Sequence, residues 1–99
     1  MEKKPRTTIN LADAFSGEAQ ARARYMAFAR KAEADGLTKI AKLFREIADQ
    51  EFEHANEHLR CLGMVKSTLE NLEAAVQGET YEFTEMYPKM VKEAKEDGD

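Results

Sequence analysis

The segment Asn10-Leu-Ala-Asp-Ala-Phe-Ser-Gly-Glu-Ala19 returns at an offset of 61 as Asn71-Leu-Glu-Ala-Ala-Val-Gln-Gly-Glu-Thr80, with Asn, Leu, Ala, Gly and Glu unchanged. The run Lys31-Ala-Glu-Ala-Asp-Gly36 returns more loosely as Lys92-Glu-Ala-Lys-Glu-Asp-Gly98. A repeat of this length restricts the fold to one assembled from copies of a supersecondary unit. The final segment is then a second copy of the first. A complete second unit would place one more helix after Gly98. The chain therefore reads as three helices of a duplicated hairpin, one short of a four-helix bundle.

Helical periodicity supports this. Glycine and proline are scarce, 5 and 2 respectively, which leaves long stretches of good helix formers. The first helix is predicted over about residues 8–35, with Leu11, Phe15, Tyr25, Ala29 and Ala32 on one stripe and Gly36 as its stop. The second is predicted over about 38–62, with Ile40, Phe44, Ile47, His58 and Cys61 on its stripe and Gly63 closing it. Ser67 and Glu70 form a capping box for the third, predicted over about 68–96, which carries Leu72, Val76, Phe83, Met86 and Met90. Pro88 lies inside that helix and should kink it rather than end it. Residues 1–99 are expected to form one all-α domain.

Composition excludes several classes of function. No stretch approaches the roughly 20 apolar residues that cross a bilayer. The charged amino terminus, Met1-Glu2-Lys3-Lys4-Pro5-Arg6, has no apolar region after it and does not read as a secretory signal, so a cytoplasmic location is expected. The net charge of -4, with no concentrated basic face, argues against nucleic acid as a partner. Cys61, the single cysteine, can form neither an internal disulfide nor a paired-cysteine metal knuckle. It is expected to be a small buried apolar residue. The methionines, Met26, Met64, Met86 and Met90, read as core fillers or interface residues.

The chemistry lies where apolar residues are due. Glu18 falls between Phe15 and Tyr25, Glu51 and His54 continue the stripe after Ile47, and Glu79 falls between Val76 and Phe83 with Glu82 at its edge. Carboxylates facing a core must be neutralised, paired or bound to metal. A ferritin-like helical bundle holds two metal ions with single glutamates from two helices and a Glu-x-x-His pair from each of the others. Glu18 and Glu79 fit the first role, and Glu51-His54 supplies one pair. Such a set suits iron, with manganese or zinc as substitutes. A glutamate on a helix is ordinarily solvated, as Glu33, Glu46, Glu53, Glu57 and Glu73 are expected to be. The coincidence on three helices is what favours metal. His58, one turn beyond His54, reads as a packed histidine or one supporting the ligands, although the spacing also suits zinc. Tyr25 and Tyr87 could hydrogen-bond the carboxylates or simply fill the core.

The segments Gly17-Glu-Ala-Gln-Ala-Arg-Ala-Arg-Tyr25, Ala48-Asp-Gln-Glu-Phe-Glu-His-Ala55 and Gly78-Glu-Thr-Tyr-Glu-Phe-Thr-Glu-Met-Tyr-Pro88 resemble motifs of the rubrerythrin family. The likeness runs from about Asn10 to Gly98. It implies a non-haem di-iron centre of two iron ions that reduces hydrogen peroxide to water in oxidative-stress defence. By position it implies Glu18, Glu51, His54, Glu79 and Glu82 as iron ligands, with Glu51 bridging. Glu82 would be the carboxylate that moves with redox state and His54 the histidine that shifts in opposition. Tyr25 and Tyr87 would be hydrogen-bonding partners of the ligands.

The chain departs from the family pattern in lacking both a rubredoxin domain and the fourth bundle helix. Electrons are therefore expected from a separate donor such as a rubredoxin. The bundle is expected to be completed in a homodimer or larger even oligomer, by pairing or exchange of hairpins across the short Gly63–Leu72 connection. In the other case the chain is a fragment of a longer protein. Two further readings use the same residues: a ferroxidase or iron-storage protein, and a metal-free helical module.

Overall fold

The computed structural model describes residues 4–99; Met1–Lys3 of the charged terminus lie outside the described residues. They divide into two compact units, one ending at Met64 and one beginning at Val65. All secondary structure among the described residues is helical, and no helix is long and apolar enough to cross a membrane.

The first unit is a hairpin of α1, Pro5–Ala34, and α2, Thr38–Cys61. α1 begins earlier than its periodicity predicts because Pro5 suits a first turn: its ring presets φ, and the N–H it lacks would have no partner there. It ends as predicted. Gly36 adopts φ 79°, its N–H donates to the Glu33 carbonyl, and the Leu37 N–H donates to the Ala32 carbonyl. That pair of bonds satisfies orphan carbonyls and needs the left-handed conformation glycine adopts without strain. Gly63 and Gly98 end α2 and the final helix in the same manner.

The seam of the hairpin consists of alanines. Ala21, Ala29 and Ala32 of α1 are buried, as are Ala41, Ala48 and Ala55 of α2, spaced by seven as in a coiled-coil register. The predicted stripes contain Ala29 and Ala32, yet most of their bulky members flank the seam rather than fill it. Small residues let two backbones approach, and larger side chains must then splay to either side. Tyr25, Phe28 and Phe44 form one such flank, with Phe28 edge-on to Phe44 at 5.5 Å between centroids. Arg22 lies over the Phe52 ring at 5.2 Å, and Arg45 pairs with Glu33 across the turn. Cys61 is exposed, contrary to expectation, since it sits in the last turn of α2, off the alanine seam.

The second unit is one continuous helical segment: α3, Thr68–Tyr81; a π-helical turn, Glu82–Met86; and α4, Tyr87–Glu96. Ser67 caps α3 as predicted, accepting from the Glu70 N–H at 3.2 Å and donating its hydroxyl to the Glu70 carboxylate at 2.8 Å. Asn71 clamps the preceding turn, accepting from the Lys66 N–H and donating to the Lys66 carbonyl. The segment contains no buried residue.

Within the second unit the π turn departs from regular α-helix. Pro88 cannot donate to a carbonyl one turn back, and its ring would crowd that turn. The wider turn absorbs both effects, and the Thr84 hydroxyl donates to the Thr80 carbonyl at 2.8 Å.

Candidate metal centre

Glu18 lies on α1, and Glu51 and His54 lie on the facing stretch of α2, where the antiparallel hairpin brings them together. One donor atom from each falls within 4.8 Å of the other two. The i,i+3 spacing of Glu51 and His54 puts both on one face of α2. Oε1 of Glu18 is 3.8 Å from Nδ1 of His54. Glu18 and Glu51 are half-buried, whereas His54 is exposed.

The donor set fits a divalent ion. Oε2 of Glu18 is buried without a hydrogen-bond partner. A buried carboxylate oxygen in that condition is costly unless a cation answers it. Oxygen ligands with one imidazole suit first-row metals of intermediate hardness, iron and manganese among them.

His58, expected to pack or to support the ligands, lies closer to Glu18 than His54 does. Its Nε2 is 3.0 Å from Oε2 of Glu18 but without hydrogen-bond alignment. Its i,i+4 spacing from His54 places it on the same face of α2. Tyr25 packs its ring at 6.1 Å from Phe28 and 6.3 Å from Phe44, so it belongs to the aromatic flank.

The remaining predicted residues lie in the second unit. Glu79 is on α3 and exposed, not core-facing, because a single helical rod has nothing within its own unit to bury a face against. Glu82 opens the π turn and is half-buried, and Tyr87, exposed, opens α4. Helical periodicity does not reveal the π turn, although the repeat encodes it. The offset is 61 from Glu18 to Glu79 but 62 from Tyr25 to Tyr87 and from Gly36 to Gly98. One residue has been inserted between glutamate and tyrosine, and the π turn takes it up. Such turns often occupy functional positions.

Residues 10–99 match the protein-family model described as Rubrerythrin. The chain belongs to the rubrerythrin family. Rubrerythrin of Nitratidesulfovibrio vulgaris is 40% identical, the match covering 97% of the chain and 57% of that relative. Rubrerythrin of Porphyromonas gingivalis is also 40% identical, with 97% of the chain and 54% of the relative covered. Nigerythrin of Nitratidesulfovibrio vulgaris is 34% identical over 93% of the chain and 52% of its own length. The chain thus spans about half the length of the curated relatives it matches. The first match runs over 109 positions against 99 residues, so within the matched stretch that relative carries residues this chain lacks.

Proposed function

We propose that this chain supplies ligands to a rubrerythrin-type di-iron centre that reduces hydrogen peroxide to water in oxidative-stress defence. The observation that supports it most is the meeting of Glu18, Glu51 and His54 within 4.8 Å, beside a carboxylate oxygen buried without a partner. Glu18, Glu51 and His54 are the ligands from the hairpin. Glu79 and Glu82 are proposed as ligands from their place in the repeat and from family membership. Two ferrous ions, when bound, supply the electrons that cleave the O–O bond, and two protons complete two molecules of water.

The protein's own contribution is charge and position. The Glu18 and Glu51 carboxylates offset cationic charge in a partly water-excluded site, and the i,i+3 register orients His54 toward them. Glu82, at the start of the π turn, is the carboxylate proposed to change its reach with redox state. Tyr25 and Tyr87 are the proposed hydroxyl partners for carboxylate oxygens. Three donors from one hairpin do not fill two coordination spheres, so a homodimer or larger even oligomer is proposed to complete the set. The reductant is a separate electron donor of the rubredoxin type, and the setting is the cytoplasm.

Anaerobic protein loaded with ferrous iron and supplied with such a donor should consume peroxide catalytically, and Glu51→Ala should abolish this turnover. Accumulation of many irons per chain without donor-dependent peroxide consumption would instead assign iron storage.

A further inference from the structure

Glu18 presents its two carboxylate oxygens to two different histidines of α2: Oε1 lies 3.8 Å from Nδ1 of His54, and Oε2 lies 3.0 Å from Nε2 of His58. We propose that His58 is itself a metal ligand, so that Glu18 bridges two ion positions within one hairpin, Oε1 serving the position shared with Glu51 and His54 and Oε2 the position shared with His58.

Three observations support a second position rather than an ordinary carboxylate–imidazole bond. The 3.0 Å approach lacks hydrogen-bond alignment, and Oε2 is buried with no other partner. Two donors bound at right angles to one first-row ion, each at about 2.1 Å, stand about 3.0 Å apart. The unaligned contact therefore has the separation of two ligands on one ion. Second, the group of donors within 4.8 Å contains His54 and not His58, and the two histidines lie nearest different oxygens of the carboxylate. Third, the His58 side chain is as sheltered as that of Glu18, at 27% exposure each, whereas His54 is 61% exposed. A half-buried imidazole facing an unpartnered carboxylate oxygen is a site for a divalent cation, with water filling the open coordination positions.

This assignment presupposes that the hairpin binds metal at all, and the experiment separates the two questions. The full-length apoprotein is titrated with zinc chloride, a diamagnetic probe, while long-range proton–nitrogen NMR follows both imidazoles and native mass spectrometry counts bound ions. The expected result is a metal-induced shift at Nε2 of His58 as well as at the His54 ring. In His58→Leu the uptake should fall by one zinc per chain while the His54 shift persists. His58→Gln serves if the leucine variant does not fold by circular dichroism. A His54 ring that shifts beside a His58 ring unmoved at saturating zinc overturns the His58 assignment and leaves the metal centre standing. No zinc uptake and no shift at either ring overturns both.

Discussion

Oε1 of Glu18 and Nδ1 of His54 stand 3.8 Å apart across the α1–α2 seam, which places a half-buried carboxylate beside the second member of a Glu-x-x-His pair. Neither residue belongs to the alanine seam that joins the helices. The ligands and the packing are therefore separable by mutation.

Glu18→Ala and Glu51→Ala should each weaken ferrous-iron binding by at least about 100-fold, since losing even a residue that only supports a ligand costs about 10- to 100-fold. Helicity should not change, because both side chains lie outside the buried set. Competition with a chromophoric chelator measures the first effect and circular dichroism the second.

Packing is tested at Ala48, which is fully buried. Ala48→Leu should destabilise the hairpin by about 1–3 kcal/mol, since extra methylenes force two close backbones apart. Ala23→Leu, at an exposed position of the same hairpin, should change stability by less than about 0.5 kcal/mol. Urea denaturation of both variants against the parent gives the comparison.

Two glycines should respond with opposite signs to alanine. Gly36 has φ 79° and open space where a Cβ would stand, so Gly36→Ala should cost about 1–2 kcal/mol from backbone conformation alone. Gly17 lies inside α1, also with open space, and Gly17→Ala should stabilise by about 0.5–1 kcal/mol. Thermal unfolding followed at the helical band reports both.

The π turn makes its own prediction. Deleting Thr84 together with Pro88→Met, which copies Met26 in the first repeat, should leave a regular helix with the glutamate-to-tyrosine spacing of α1. Helix content should hold, while peroxide turnover should fall by about 100-fold because Tyr87 changes its place relative to Glu79 and Glu82. Donor-coupled peroxide consumption is the readout.

Much of this is legible in residue order. Gly36 and Gly63 mark both helix ends correctly because a left-handed stop is a local matter. Ser67 and Glu70 likewise announce their cap. Glu18, Glu51 and His54 can be brought together from the sequence because helical spacing fixes their faces and a short turn forces the helices antiparallel.

The seam is less legible. Phe15, Phe44 and Ile47 dominate the apolar stripe, yet which residues meet depends on how closely two backbones approach, and alanines settle that distance. Cys61 departs from expectation for the same reason. The π turn escapes periodicity because a one-residue insertion barely disturbs it; only the change of offset between Glu79 and Tyr87 records it. The approach of His58 to Oε2 of Glu18 depends on side-chain geometry across two helices, which spacing along one helix does not specify.

The central claim is that Glu18, Glu51 and His54 hold iron. Native mass spectrometry of protein purified anaerobically with ferrous iron tests it most directly, with the Glu18→Ala, Glu51→Ala double variant alongside. The account predicts an even assembly carrying bound iron in the parent and the same helical protein without iron in the variant. A folded parent that binds no iron, or a variant that binds as much as the parent, would contradict it.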